Sequence, residues 1–196
     1  CKDLYLKGLS LELGATAKIN SNFSSYIKGK NKFHLSNNFN NKKFKIFKAD
    51  LRKKLKIRSN KYDNVLIFNV LEHLSDYHNP LKEINRILKK DGKLICSTPF
   101  IYQIHGAPKD YFRFTKQFFE DELIKKKFKG IKIDCLGNGP FTACYSLLFA
   151  YVRFLPIFSH LFFIVFFILD KILQIFIKTN LKEIFPIGII FIAKKK

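Results

Sequence analysis

The chain has 196 residues and a formal net charge of +21, from 36 Lys and Arg against 15 Asp and Glu. That length suits one domain with a sizeable core. Its four cysteines, Cys1, Cys96, Cys135 and Cys144, show neither metal-ligand spacing nor a paired pattern, which argues against a disulfide scaffold or a cysteine metal centre and leaves reduced thiols.

The positive excess is nearly all Lys, scattered among many Phe, Ile and Asn rather than gathered in one stripe. An AT-rich coding bias produces that mixture without selection for a polyanion, so a nucleic-acid partner is not expected. The chain starts at Cys1 and contains no Met. A missing or processed start, with an N-terminal helix lost, is expected, and no signal peptide is visible.

Leu9–Leu13 (LSLEL) reads as a first short strand ending at Gly14. Asn31–Asn38 (NKFHLSNN) reads as a second strand and Phe44–Asp50 (FKIFKAD) as a third. Tyr62–Asn69 is a fourth, and its continuous run Val65, Leu66, Ile67, Phe68 marks a strand buried on both faces. Asn79 and Pro80 predict a helix start, with Asn as cap and Pro at the first helical position. Leu81, Ile84, Ile87 and Leu88 form its buried stripe, Lys89 and Lys90 suit its C-terminal dipole, and Gly92 supplies a left-handed stop. Lys93–Ser97 then predicts a fifth strand, ended by Pro99. Thr115 predicts the cap of a helix to about Phe128, with Glu120, Asp121 and Glu122 early and Lys125–Lys127 late. Ile131–Leu136 reads as a sixth strand and Ile187–Ala193 as the last. Alternation of this kind predicts an α/β fold with a doubly wound, mostly parallel sheet.

In sequence order, LELGA, KAD, YDNVLIFNVLEHL and LKKDGKLI resemble the class I S-adenosylmethionine-dependent methyltransferases. The resemblance is closer to bacterial members that carry a His–Pro–Asp–Tyr–Arg–Thr segment after strand five, here His105, Pro108, Asp110, Tyr111, Arg113 and Thr115. It covers about Leu9 to Leu136 and extends to the final strand, and it implies a seven-stranded Rossmann-like sheet. It also implies S-adenosylmethionine as cofactor. Glu12 and Gly14 match the acid and glycine loop that cradle its methionine part, where a side chain would block close backbone approach. LELGATAKINS keeps one glycine where the family usually has two or three, and HLSNN offers Asn37 or Asn38 where the family places a ribose-binding acid. Asp50 matches the adenine-contacting acid, and Asn69 and Leu71 line the methyl-donor pocket, with Glu72 and His73 following. Ordinary structural roles stay open: a strand-end charge for Glu12, a turn start for Asp50, a helix cap for Glu72–His73.

Methyl transfer needs the nucleophile, methyl carbon and sulfur held in line, which is mainly a matter of orientation. An oxygen or nitrogen acceptor also needs a base. His105 is the first candidate, since a free imidazole titrates near ~6.5. Asp110 would orient His105 or act as the base itself, and Arg113 would clamp a substrate carboxylate or phosphate. Tyr111, Phe112 and Phe114 would wall the acceptor pocket. A packing loop closed by an Asp110–Arg113 ion pair is the plain alternative. His34, His78 and His160 carry no supporting pattern, and no metal is expected.

Residues 142–180 form an apolar insert before the last strand. Phe154–Leu169 (FLPIFSHLFFIVFFIL) has no charge apart from a His160 cation, and Pro156 splits it into a helix before and a longer helix after. Ile157 to Lys178 as one helix would be about 33 Å long, against a hydrocarbon core of ~30 Å, so length permits a span. A last strand returning to the same sheet requires an even number of crossings, and the Thr142–Phe154 piece is too short to be the partner. Arg153, His160, Lys171 and Lys178 near one face suit an interfacial helix with snorkelling Lys, and the basic charge favours anionic lipid. A buried helical subdomain or a dimer face is the alternative.

The sequence is therefore read as one methyltransferase domain, residues 1–196, acting on an oxygen or nitrogen of a small acceptor, with glycan- or lipid-linked acceptors in range. A cytoplasmic location, peripheral to the inner face of the membrane, is expected. The rival is a non-catalytic methyltransferase-like module that docks on membranes or partners, and a third reading is an RNA-modifying enzyme.

Overall fold

The computed structural model describes residues 6–14, 31–36, 45–47, 50–106 and 109–196, with side chains described outside 31–36 and 45–47. The strands are β1 (Gly8–Leu13), β2 (Asn31–Ser36), β3 (Lys45–Phe47), β4 (Tyr62–Phe68), β5 (Leu88–Pro99), β6 (Phe128–Leu136) and β7 (Gly188–Lys195). They lie side by side in the order β3-β2-β1-β4-β5-β7-β6. The sheet is mixed: β1 to β5 pair in parallel, whereas β7 runs antiparallel to both β5 and β6. Five of these strands, β1, β4, β5, β6 and β7, have described side chains and carry the core.

β4 shows why a continuous apolar run becomes a central strand. Side chains alternate faces along a strand, and both faces here are covered. Val65 and Ile67 pack in the main core with Leu81, Ile84 and Ile87 of α1 (His78–Ile87) and with Phe119 and Leu123 of α2 (Lys116–Lys125). Leu66 turns to the other face, against Leu6 and Ile95.

The caps differ from the expectation at one helix and match it at the other. Asp76 caps α1, its Oδ1 accepting from the backbone N–H of His78 (2.8 Å) and of Asn79 (3.3 Å). The Asn79 amide turns away and donates to the carbonyls of Leu51 (3.0 Å) and Lys53 (3.3 Å), tying the preceding loop to the helix. The helix begins at His78, so Asn79 falls inside its first turn, and the first donors, on His78 and Asn79, find the charged Asp76 just upstream. At α2, the Thr115 hydroxyl oxygen accepts from the N–H of Phe118 at 3.1 Å.

The stop after α1 also falls elsewhere. The helix ends at Ile87 with Leu88 extended, and the left-handed residue is Asp91, at φ 60°, within β5. Gly92 serves a close approach, since a Cβ there would lie 2.8 Å from the Lys89 carbonyl oxygen. α2 ends at Lys125 rather than near Phe128, and β6 begins at Phe128, earlier than expected. Left-handed Lys127 and Gly130 turn the chain from helix into strand, and the β6–β7 register shifts between Lys129 and Lys132.

Between β6 and β7 the chain forms α3 (Pro140–Val152), α4 (Pro156–Phe176) and the short α5 (Leu181–Ile184). Pro156 opens α4, where a missing N–H costs nothing. α4 joins α3 through polar contacts. Asp170 accepts from the backbone N–H of Phe141 (3.0 Å) and Thr142 (2.8 Å) at the start of α3, and the Tyr145 and Ser159 hydroxyls lie 2.8 Å apart. Gly139 makes room for this latch, because a Cβ there would collide with the Asp170 carboxylate. α4 is long and apolar enough to cross a membrane by length and composition, and only 11% of its most apolar window is buried.

Candidate active site

The sheet order fixes where a ligand can sit. From β1 the chain proceeds to β2 on one side, while β4 lies on the other, so the carboxyl ends of β1 and β4 flank the point where the strand order reverses. Open α/β sheets bind their ligands in that crevice. Leu13 pairs with Ile67 there. Glu12, buried, is the last residue but one of β1, and Gly14 follows the strand at φ 76°. A Cβ on Gly14 would strike the Val70 side chain, so this glycine lets the loop after β1 pass close to the loop after β4.

Asn69, also left-handed at φ 51°, turns the chain off β4. Its N–H donates to the Ser97 carbonyl at 2.9 Å, and its Oδ1 accepts from the Ser97 hydroxyl at 3.2 Å. That pair holds the exit of β4 against β5. Leu71 is fully buried beneath the turn. Asp50 is partly exposed and is engaged by Arg52, which donates to it through its backbone N–H (3.0 Å), Nε (3.0 Å) and Nη2 (3.1 Å) and holds the carboxyl below its ordinary range. Asn37 and Asn38 lie outside the described residues.

Leu71–His73 form a single 3₁₀ turn, and it carries the most unusual group in the protein. Glu72 is completely buried, and neither of its carboxylate oxygens has a hydrogen-bond partner. Such a group costs free energy that native proteins rarely leave uncompensated without a reason. Burial pushes its pKa up to about 7, against the opposing pull of its own backbone N–H and, less, of the nearby His73. The Glu72 backbone carbonyl accepts from the N–H of Tyr111 (2.7 Å) and of Phe112 (3.3 Å), which fastens the later loop onto this turn.

Two histidines face the carboxylate. His73 Nε2 lies 3.8 Å from Glu72 Oε1, while its Nδ1 is 2.7 Å from the Lys109 carbonyl oxygen. The His105 ring stands edge-on to that of His73 with 4.8 Å between centroids, and its Nδ1 is 3.2 Å from the Gln103 carbonyl oxygen. A carbonyl can only accept, so both Nδ1 atoms carry the proton in the neutral rings and both Nε2 atoms keep their lone pair.

Asp110 and Arg113 hold this loop. Arg113 forms a bidentate pair with Asp110 at 2.6 and 2.7 Å, and donates to the carbonyls of Phe112 (2.9 Å) and Gln103 (3.2 Å). The guanidinium, together with the N–H of His105 at 3.0 Å, keeps the Asp110 carboxyl well below the usual carboxylate range. Both Asp110 oxygens are engaged by protein donors, which suits the role of orienting His105 better than that of taking a proton. Arg113, expected to clamp a substrate anion, has its donors directed at protein acceptors instead. Phe112 packs edge-on against Tyr77 at 5.5 Å, and Phe114 is buried in the core, whereas Tyr111 is exposed.

Tyr102 and Tyr77 were not singled out from sequence. Tyr102 stacks edge-on against His105 at 5.0 Å and lines an apolar cleft of about 330 Å³ that continues to Tyr145, Phe149 and Phe163 on the helical hairpin. The aromatic density of the loop after β5 was the available signal for it. Cys96 and Cys135 are buried and their thiols are pushed up by burial, which keeps them out of nucleophilic chemistry.

Known proteins share this fold. The sequence pattern of the methyltransferase domain matches residues 19–96. No curated protein matches the chain. Among solved structures, the phosphoethanolamine N-methyltransferase 2 of Haemonchus contortus, in complex with S-adenosyl-L-methionine, is similar with a TM-score of 0.62 and 14% identity, over 99% of this chain and 50% of that one. A SAM-dependent methyltransferase from Archaeoglobus fulgidus is similar with a TM-score of 0.60 and 15% identity, over 95% of this chain and 86% of that one. A carbon methyltransferase is similar with a TM-score of 0.59 and 11% identity, over 95% of this chain and 48% of that one. The chain thus spans about half the length of the first of these, and the likenesses establish the fold. The first is named an N-methyltransferase and the third a carbon methyltransferase, so the fold does not select an acceptor.

Proposed function

We propose that the chain, which matches the methyltransferase-domain pattern over residues 19–96 and shares the fold of solved methyltransferases, is a class I S-adenosylmethionine-dependent methyltransferase that transfers a methyl group to an oxygen or nitrogen of a small acceptor. S-adenosylmethionine, the cofactor of this fold, supplies a methyl carbon made electrophilic by its sulfonium. The residues at the strand reversal fit that group: Gly14 and Asn69 take left-handed turns at the exits of β1 and β4, and Glu12, with its carboxylate, and Leu71 lie within two residues of those turns. Asn37 and Asp50 are the residues we assign to the ribose and adenine. Glu72, His73 and His105 face the acceptor, next to the crevice, and activate it. Tyr111 and Phe112 border the acceptor, while Asp110 and Arg113 keep His105 in place.

The observation that carries this reading is the buried, unpartnered Glu72 carboxylate beside two histidines at the carboxyl end of β4. Such a constellation has no packing purpose at a place where this fold binds its ligands. The comparisons lend no support to the rival reading of a non-catalytic docking module.

The cleft from Tyr102 to Phe163 favours an acceptor with an apolar tail, its polar end at His105 and its tail toward α3 and α4. Those helices expose Phe149, Tyr151, Phe154, Ile157, Phe158 and Phe176 at 47–81%. An apolar surface of this extent calls for a cover. Arg153, Lys171 and Lys178 at its margins suit anionic headgroups. We therefore assign the hairpin to the inner face of an anionic membrane, with a lipid- or glycan-linked acceptor.

The test is transfer of labelled methyl from S-adenosylmethionine by the full chain into membrane extract. Label is expected in the organic phase and is expected to vanish with His105→Ala, while calorimetry still detects S-adenosylhomocysteine binding. Label confined to the aqueous phase would overturn the lipid-linked acceptor. Absence of cofactor binding at millimolar concentration would overturn the enzyme.

A further inference from the structure

Glu72, His73 and His105 offer one carboxylate and two imidazoles whose ligand atoms all lie within 4.8 Å of one another. From this geometry we propose that the three side chains hold a divalent first-row cation, Zn²⁺ or Mn²⁺, which takes the acceptor oxygen as a further ligand. The inference rests on the acceptor-side placement of the cluster argued above, and it narrows the acceptor from oxygen or nitrogen to oxygen.

Three observations carry it. First, the ligand set is two imidazoles and one carboxylate, a combination that binds such cations and leaves positions open for a substrate. Second, both Nδ1 atoms are committed to backbone carbonyls, Lys109 at 2.7 Å and Gln103 at 3.2 Å. Metal-ligating histidines characteristically donate their other N–H in this way, which fixes the tautomer that leaves Nε2 its lone pair. Third, Glu72 is fully buried, and neither oxygen has a hydrogen-bond partner. A buried anion needs a positive partner, and the nearest guanidinium, on Arg113, is already bidentate with Asp110. A cation between the three groups would supply that partner. With bonds of about 2.1 Å, ligand atoms in a tetrahedral shell sit about 3.4 Å apart. A turn of the His105 ring about its side-chain bonds would close that difference with the loop backbone left in place.

Chemically, the cation would lower the pKa of a coordinated hydroxyl. The hydroxyl proton leaves to solvent, the acceptor oxygen bonds to the methyl carbon, and the electron pair of the broken C–S bond stays on sulfur. No oxidant or reductant is required. The buried Glu72 then acts as a ligand, and no side chain need serve as the base.

The test uses the full chain, stripped with chelator and titrated with Mn²⁺ followed by electron paramagnetic resonance, and with Zn²⁺ by calorimetry. Wild type is expected to bind one equivalent. His105→Ala and Glu72→Gln are each expected to weaken binding by about tenfold or more. His105 lies on the loop surface, so its variant carries the test even where Glu72→Gln fails to fold. Absence of binding by wild type to either ion, or unchanged binding in His105→Ala, would overturn the site. S-adenosylhomocysteine affinity measured in the same samples separates the two readings. Cofactor binding without metal binding overturns the metal site alone, and metal binding without cofactor binding overturns the methyltransferase reading alone.

Discussion

Helices α1 and α4 are built in opposite senses. In α1 the apolar residues Leu81, Ile84 and Ile87 are buried at 0% exposure. In α4 the buried residues are Ser159 and Asp170, while Phe162, Ile164 and Ile168 are about half exposed. Burial of apolar surface against the sheet holds α1 in place, at roughly 25 cal/mol per Å². α4 is held to its neighbour by a carboxylate on two backbone N–H groups, by a hydroxyl pair and by ring contacts of Phe163 and Phe166 with Tyr145 and Phe141. The contrast shows that the sheet domain completes its own core, and that the hairpin has an apolar surface still to be covered.

The largest effect is expected from Ile84→Ala, a cavity in the main core that should lower global stability by about 3 kcal/mol. The paired change Phe162→Ser should cost under ~0.5 kcal/mol in urea unfolding without lipid. It should instead weaken sedimentation with vesicles of mixed anionic lipid. If both variants lose stability alike in free solution, the contrast between the helices is wrong.

Asp170→Ala comes next. Removing the anionic acceptor leaves two N–H groups of α3 without their partner and should cost about 2.5 kcal/mol locally. Hydrogen exchange should therefore accelerate in α3 and α4 while β4 and β5 stay protected. Equal acceleration in the sheet would mean that the hairpin belongs to the same cooperative unit.

Glu83→Gln tests the sheet-domain side through pH. Glu83 accepts from the Leu55 N–H at 2.8 Å and pairs with Arg86, which also reaches the carbonyls of Leu55 and Ile57. The Arg86 hydrogen bond holds the Glu83 carboxyl below its ordinary value. A depressed carboxyl contributes stability that is present above the unfolded-state pKa of ~4.5 and disappears as pH falls through the folded-state value. The variant should cost about 2 kcal/mol at pH 7, below the range for a fully enclosed pair because Arg86 reaches solvent. The gap to wild type should close toward pH 3 in urea midpoints. A gap that stays constant with pH would remove Glu83 as its source.

Much of the frame was legible in the residues because its signals are local. The run Val65–Phe68 requires cover on both faces, Thr115 caps α2, and Pro156 opens α4. Helix boundaries were less legible. Asn79 looked like the cap of α1, yet Asp76 takes the donors and frees Asn79 to hold the loop at Leu51. Gly92 looked like a left-handed stop, yet Asp91 adopts that conformation. Such competition between two polar neighbours is settled by what the rest of the fold offers each of them.

At the site, the resemblance put Glu72 and His73 on the methyl-donor side and His105, Asp110 and Arg113 on the acceptor side; that the VLEH and DYFRFT segments meet in one cluster was not read from the residues. Their division of labour was not readable. Whether a carboxylate is a fixed anion or an unsatisfied one depends on which donors reach it, and those come from loops far apart in sequence. Asp110 meets Arg113 and stays ionised, while Glu72 meets no donor and is pushed toward neutrality. Sequence alone determined the strand-helix alternation, the apolar character of the hairpin and the identity of the polar groups at the strand ends, since these follow from periodicity and composition. Only the tertiary structure decided which carboxylate is compensated and which face of each helix is covered. Desolvation and hydrogen bonding depend on what surrounds a group in space, and neighbours in the chain do not specify it.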